Sequence, residues 1–474
     1  MGDTSGAAQV GDTFASAQVG GTGGGRPELL RALGAWQAAA IVVGTIIGTG
    51  VFLKAAPMAQ LCGSPGWVLA AWAVGGVLSL LGALSYAELG AAYPRAGGEY
   101  IFLREGYGPF VGYLYGWARF WIGTPASIAA YAVGAATFLR GLIGVEQIGG
   151  VVPVAITLIL VFTGINCLSV NAGGWLQTVL TALKVVLILG LAGGALVSAD
   201  SGSWSHLAAG GYSGGTFPGW GPFGLAILAA LWAYDGWNNL PMAAGEVRDP
   251  GKNVPRAIVL GTLIVLAVYA LINVAYFYAL SFDDVATARS DRYPGAPAVA
   301  ARVADTFLGG TAQAFLAFAL TASALSAMTG SMLTGARVPF AMARDGLAPK
   351  RLAHVSQGAR APVVAVLIQG GWASLLATSG RFDQLTDYVV FSSWLFYALN
   401  AGGVIRLRRA RPDLARPYRV PLYPVIPVLF LVLSSLLLLN TMVSATAQSL
   451  RGIAFMSLAV PVYLLFHRRE RAGG

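Results

Sequence analysis

Few residues of this chain carry chemistry inside apolar surroundings, and three stretches hold most of them. Lys184 stands in "TALKVVLIL", where an ammonium at mid-membrane costs at least about 2.5 kcal/mol unless it is paired or hydrated. Asp235 stands with Gly236, Asn238, Asn239 and Pro241 inside "LAALWAYDGWNNLPMAAGEV". The run "GTIIGTGVFL" places Gly44, Thr45, Gly48, Thr49 and Gly50 where a continuous membrane helix is otherwise expected. Opening a helix in lipid frees backbone N–H and C=O groups that must find other partners. Amides around Thr49, Gly50 and Val51, at the start of a second half-helix, suit an anion. Carbonyls around Trp232, Ala233 and Asp235, at the end of a first half-helix, suit an ammonium, and glycine lets ligand atoms approach closely. A carboxylate and an ammonium side by side describe an α-amino acid. Taken alone, the Gly44/Gly48 pair reads equally well as a G-x-x-x-G helix-packing motif. The second interruption, at a corresponding place, tips the balance towards binding.

Other chemistries find little support. Only Cys62 and Cys167 and three histidines (His206, His354 and His467) are present, without clustering, so no metal site and no cofactor are expected. No nucleophile, base and orienting group recur in a recognisable arrangement, which argues against an enzyme.

The elements that must position these groups are membrane helices. Hydrophobic residues make up 56% of the 474-residue chain and charged residues 11%, with a mean hydropathy of +0.67, the balance of an integral membrane protein. A hydrocarbon core of about 30 Å needs roughly 20 helical residues, and the apolar pattern predicts twelve such spans. The first six run from about Ala35 to Leu53, Trp67 to Leu89, Gly112 to Leu139, Val151 to Leu168, Leu176 to Val197 and Phe223 to Leu240. The second six run from about Ile258 to Leu280, Ala314 to Leu333, Val363 to Ser379, Tyr388 to Ile405, Val425 to Val443 and a short Ile453 to Phe466. The two interrupted spans, one and six, are five apart. That is the trace of an inverted-repeat secondary transporter whose site lies at the repeat interface near the midplane. The expected organisation is a disordered tail over 1–30, not a signal peptide. A first repeat of helices one to five follows over 31–200, a second of helices six to ten over 201–410, and helices eleven and twelve with a tail over 411–474.

The net charge of +10 is dispersed over separate loops, a pattern of membrane topology and not of a nucleic-acid-binding patch. Arg406, Arg408, Arg409, Arg411, Arg416 and Arg419 fall between spans ten and eleven, and Arg468, Arg469 and Arg471 in the tail. Basic residues stay on the cytoplasmic side, so both termini are predicted inside. Arg119 and Glu88, near inner helix ends, are expected to organise structure and not to touch substrate.

Together "VGTIIGTGVFL", "SYAELGAAYPRAGGEY", "LYGWARFW", "WAYDGWNNLPMAAGEVRDPGKNVPRAI", "NVAYF", "ARDGLAPKRLAHV" and "RPDLARPYRVPLYP" resemble the amino acid-polyamine-organocation superfamily, and within it the L-type amino acid transporter branch. The resemblance implies an all-α fold of twelve transmembrane helices. Helices one to five and six to ten form inverted repeats, helices one and six are discontinuous, and transport proceeds by alternating access. It matches Gly48, Thr49 and Gly50, flanked by Ile47 and Val51, to the carboxylate-binding turn of helix one. Trp232 matches the aromatic that caps the substrate. Ala233, Tyr234, Gly236, Trp237 and Asn238 match the rest of the helix-six signature, and Phe391 and Trp394 match pocket aromatics of helix ten. Lys184 matches a helix-five lysine reaching towards helix one and the hydroxyls of Ser323, Ser326 and Thr329 on helix eight. Its charge then takes the role of a sodium ion in sodium-driven relatives, or titrates and couples the cycle to protons.

The resulting expectation is sodium-independent exchange of neutral L-amino acids across a plasma (inner) membrane. The alternatives are proton-coupled symport, carriage of cationic amino acids or polyamines if Asp235 faces the cavity and does not cap helix six, and, more remotely, a channel or amino acid sensor on the same fold. Family members that bind a heavy subunit covalently use a cysteine between helices three and four, and "RGLIGVEQIGG" has none. No disulfide-linked partner is therefore expected, and the lipid bilayer and the amino acid are the partners implied.

Overall fold

The computed structural model describes residues 29–379, 382–444 and 446–472, with the side chains of 382–392, 444, 447, 448 and 467–472 left aside. Among the described residues nine helices are long and apolar enough to cross a membrane. Two shorter apolar helices, Trp220–Ala233 and Val363–Ala377, accompany them, as does the 29-residue helix Phe382–Ala410. The only β-bridge among these residues is an isolated one between Leu33 and Val247.

Helix limits follow local chemistry. Proline, whose missing N–H costs nothing in a first turn, opens Pro65–Ala92, Pro109–Ala118 and Pro250–Ala279. The Lys184 helix, Val170–Ser198, begins six residues before the apolar pattern predicts, because the Ser169 side chain caps it by accepting from the Ala172 amide at 3.0 Å. Between Pro109–Ala118 and Thr124–Leu139 the chain widens into a π-turn over Arg119–Gly123. Pro125 lacks the N–H that would bond the Trp121 carbonyl, and that carbonyl instead accepts the Trp372 indole N–H at 2.8 Å.

Two helices break. The first runs Ala35–Ile46, leaves helical geometry at Ile47 (φ −72°, ψ 93°), and resumes as Gly50–Leu53 and Ala55–Cys62. The other stops at Ala233, short of the predicted Leu240, and continues through turns into a 3-10 segment, Leu240–Glu246. Gly236 is the reason for the early stop: its φ of +127° is open to glycine alone, and a Cβ there would lie 2.7 Å from the Thr45 carbonyl carbon. The two breaks are thus packed backbone to backbone. Gly44 packs equally closely, since its Cβ would meet Gln177 Nε2 at 2.0 Å, so the helix-packing reading of that glycine holds beside the binding reading of its neighbours.

Inner and outer helices sit differently. In Ala35–Leu53 and Val299–Arg344, 72% and 89% of the most apolar window is buried within the protein, against 22% in Val425–Val443. The outer helices present Leu160, Val179, Val186 and Leu436 outwards, the lipid-facing shell of a membrane protein. On the other flank of the breaks, the Leu33 amide donates to the Glu246 carbonyl and the Arg248 amide to the Leu33 carbonyl, both at 2.9 Å. This ties the start of the first broken helix to the end of the second. Fully buried Glu246 accepts two 3.0 Å hydrogen bonds from Arg337, a bidentate pair that satisfies both charges.

Candidate functional site

Between the two breaks lies a cavity of about 190 Å³ lined by Gly48, Thr49, Gly50, Trp232, Ala233 and Asp235, with Ser127 and Tyr131 on one wall and Trp394 and Tyr397 on another. Its size falls below the roughly 300–1,000 Å³ of drug-sized pockets and suits a small solute.

The backbone groups freed by the breaks find partners one by one. The Tyr269 hydroxyl donates to the Ala233 carbonyl at 2.9 Å and to that of Ile46 at 3.2 Å. Thr45 Oγ1 donates to the Gly236 carbonyl at 2.9 Å, and the Tyr276 hydroxyl to that of Val51 at 3.3 Å. Lys184, 0% exposed, donates from Nζ to the Gly44 carbonyl at 2.7 Å, to the Ile47 carbonyl, and to the Ser323 carbonyl at 3.4 Å. Ser323 Oγ donates in turn to the Gly48 carbonyl at 2.9 Å. An ammonium held by carbonyl oxygens from two helices cross-links the opened segment to the helix behind it. Ser326 and Thr329 do not share this contact. Ser326 Oγ lies 3.3 Å from Thr181 Oγ1, and the Thr329 hydroxyl returns to the Leu325 carbonyl of its own helix.

What stays unsatisfied marks where a ligand fits. Thr49 Oγ1 is buried at the cavity wall without a hydrogen-bond partner among the described residues, and a buried hydroxyl in that condition is uncommon. Beside it, a Cβ on Gly50 would come 2.8 Å from Ala233 Cβ and 3.1 Å from the Trp232 ring. Gly50 is therefore what allows the two broken helices to close around the cavity. The Lys54 ammonium sits 4.6 Å from the centroid of the Trp232 ring, a cation–π contact.

Asp235 does not cap a following helix. The next helical residues begin at Leu240, with Asn239 before them, and the Asp235 carboxylate lines the cavity and accepts the Tyr397 hydroxyl at 2.5 Å. Of the other predicted contacts, Gly48, Thr49, Gly50, Trp232, Ala233 and Trp394 line the same cavity. Ile47, Val51, Tyr234, Gly236 and Asn238 do not line it and act around it. Tyr234 packs edge-on against Trp72, and Asn238 turns away to donate to Glu99 at 2.7 Å. The side chain of Phe391 lies outside the described residues. Arg119 points at the second break, donating to Asn239 Oδ1 at 2.6 Å. Glu88 gathers the loop beyond Phe382–Ala410, pairing with Arg408 and accepting the Val420 amide at 2.7 Å.

Sequence reasoning missed Tyr269, Tyr276, Tyr131 and Tyr397. Tyr269 and Tyr276 are seven residues apart in an apolar span and so share one helix face, a hydroxyl pattern that was readable. The pairing of Tyr397 with Asp235 across 162 residues was not.

A family profile described as amino acid permease matches residues 33–466. The chain belongs to the amino acid permease family. This permease is 33% identical to the serine/threonine exchanger SteT of Bacillus subtilis over 456 residues, covering 93% of the chain and 98% of that protein. It is 33% identical to the human b(0,+)-type amino acid transporter 1, covering 93% and 88%. It is 31% identical to the human large neutral amino acids transporter small subunit 2, covering 94% and 82%. These relatives are transporters and not enzymes, and the apolar helices make the permease a multi-pass membrane protein.

Proposed function

We propose that this permease exchanges L-amino acids by alternating access, independently of sodium. The substrate carboxylate sits at the Gly48–Thr49–Gly50 turn and its ammonium faces the Trp232–Asp235 end of the other broken helix. The observation that carries this reading is the unpartnered Thr49 hydroxyl in the wall of a small cavity that both breaks line. The Lys184 cross-link supports sodium independence, because a resident ammonium already occupies the Gly44 and Ile47 carbonyl oxygens of the opened helix. The nine long apolar helices, the two shorter ones and Phe382–Ala410 among the described residues support the twelve-helix count. Breaks five helices apart support the five-plus-five inverted repeat, with helices one to five over 31–200, six to ten over 201–410 and two more after them. The arginines over 406–419, at the end of Phe382–Ala410 and just beyond it, support cytoplasmic termini in an inner membrane, and the cysteine-free 140–150 loop supports function without a disulfide-linked heavy subunit.

One observation favours a second reading of specificity. Asp235 faces the cavity as a carboxylate, which suits a cationic side chain and extends the cargo from neutral to basic amino acids. Counterflow in proteoliposomes tests the mechanism. Uptake of labelled L-serine or L-arginine rises when unlabelled amino acid is trapped inside and ignores sodium. Uptake that ignores internal amino acid but follows a proton gradient replaces exchange with symport.

A further inference from the structure

A second, smaller cavity lies beyond the substrate site, lined by Glu99, Tyr115, Arg119, Asn238, Ser393 and Tyr397. Tyr397 belongs to both walls, with its hydroxyl on Asp235. Glu99 opens the short helix Glu99–Tyr107, which lies between two spans. Its side chain is 0% exposed, yet its partners are neutral: Asn238 Nδ2 at 2.7 Å, the Tyr86 hydroxyl at 3.1 Å and Asn400 Nδ2 at 3.2 Å. The other two deeply buried glutamates, Glu246 and Glu88, each hold an arginine. Arg119, the cation beside Glu99 in the cavity wall, spends its hydrogen bond on Asn239. A fully buried carboxylate without an ion-pair partner is costly, and it must draw in a cation or stand protonated.

The cavity itself points to a ligand. Its volume of about 20 Å³ accommodates one water, which needs roughly 10–15 Å³ by this measure. Three polar atoms that lie in its walls, Tyr115 Oη, Arg119 Nε and Asn238 Oδ1, have no partner among the described residues. Asn238 and Tyr115 are at least nine-tenths buried. The ionisable groups facing Glu99 are Tyr86, Tyr115, Arg119, Asp235 and Tyr397. Two carboxylates are thus set against one guanidinium, which leaves one negative charge uncompensated.

We propose that this second cavity is a proton-binding site of the transport cycle. Glu99 takes up one proton when the cargo is a neutral amino acid, and one water with Tyr397 links it to Asp235 in the substrate cavity. The step forms one O–H bond on a Glu99 carboxylate oxygen and adds one positive charge, balancing the pair of carboxylates against Arg119. A cationic side chain at Asp235 supplies the same charge and releases the proton. The protonated form also loosens the grip of Glu99 on Tyr86, Asn238 and Asn400, donors from two helices and from the break that moves in alternating access. Burial pushes the Glu99 carboxyl up to about 7, offset in part by the donors Asn238 and Tyr86 and the charge of Arg119, so the site titrates within the physiological range.

The inference rests on the transport reading, and the test separates the two. Wild-type protein and Glu99→Gln are compared in proteoliposomes by trans-stimulated uptake of tritiated L-serine and L-arginine between about pH 6 and about pH 8.5. Between those limits the protonated fraction of a group titrating near 7 changes about 30-fold. The wild-type half-saturation for L-serine is expected to rise with pH by up to that factor, and that for L-arginine not to rise, while Glu99→Gln is flat for both. A wild type with no pH dependence, or a Glu99→Gln profile that follows the wild type, overturns the proposal. If Glu99→Gln does not fold, Tyr86→Phe removes one donor to the carboxylate and moves the wild-type midpoint to higher pH; an unmoved midpoint overturns it equally. No trans-stimulated uptake of either amino acid at any pH overturns the transport reading instead. Infrared difference spectra of the purified protein then still read the proton on Glu99, as a carboxyl stretching band that Glu99→Gln lacks. A band that survives Glu99→Gln and vanishes in Asp235→Asn overturns the assignment.

Discussion

Replacing Lys184 by alanine tests the cross-link behind the opened helix. The ammonium serves the carbonyls of Gly44, Ile47 and Ser323. Ile47 retains Ser323 Oγ at 3.3 Å, so the Gly44 carbonyl is the group left without its side-chain donor. A buried carbonyl that loses its partner costs about 1–3 kcal/mol. Removing a buried charge returns part of that cost, because its desolvation is relieved. The net loss at the break is therefore at most about 1–3 kcal/mol, set against a fold whose other helices keep their contacts. Because 1.4 kcal/mol corresponds to a tenfold change, exchange should fall by up to about a hundredfold. The assay is the initial rate of counterflow in proteoliposomes, read beside size-exclusion behaviour and thermal unfolding in detergent. Lys184→Ala that is monodisperse and slow supports the role. Lys184→Ala with wild-type kinetics refutes it, and one that unfolds outright assigns the lysine to stability alone.

Gly50→Leu should abolish substrate binding while the protein remains folded, because even its Cβ meets Ala233 at 2.8 Å; equilibrium binding of labelled L-serine checks it. Asp235→Asn should lower L-arginine exchange by tenfold or more, an estimate for one lost charge-assisted hydrogen bond of about 1.5–3 kcal/mol, and spare L-serine, measured in the same vesicles. Glu246→Ala should destabilise the protein by about 3–5 kcal/mol, since it leaves Arg337 charged, buried and unpaired, which thermal unfolding reads directly. The raised Glu99 carboxyl also fixes a sign. The native state holds that proton up to about pH 7, whereas the unfolded chain releases it near the ordinary glutamate value of 4.5. The stabilisation is thus complete at low pH and is lost as pH rises through this window. Thermal stability should fall between the two values in the wild type and less in Glu99→Gln.

The sequence was most legible where composition and period decide. Apolar length placed Ala35–Leu53 and Val151–Leu168 with the limits later observed, and the glycines and polar residues located both breaks. Limits slipped where a cap or a glycine governs, as at Ser169, which starts its helix early, and at Gly236, which ends the other. Lys184 was readable as an ammonium in need of partners, while its reach towards helix one came from the family resemblance. Which hydroxyl of the facing helix would meet it was not, since Ser323, Ser326 and Thr329, spaced by three, share one helix face and differ chiefly in height along the axis. Asp235 was readable as a chemical group but not as a direction, because turn geometry at a broken helix is set by packing against Thr45. Glu99 follows two glycines between two apolar spans, and nothing in the local pattern singles it out. Its burial depends on Asn238 and Asn400, far away in sequence, and no local pattern carries that.

The central claim, that the Gly48–Gly50 turn holds a substrate carboxylate, is tested most directly by competition. Trans-stimulated uptake of a labelled amino acid is measured against the standard amino acids and against their decarboxylated counterparts, agmatine and putrescine included. Amino acids should compete and the decarboxylated compounds should not. Competition by putrescine or agmatine equal to that of arginine would contradict it.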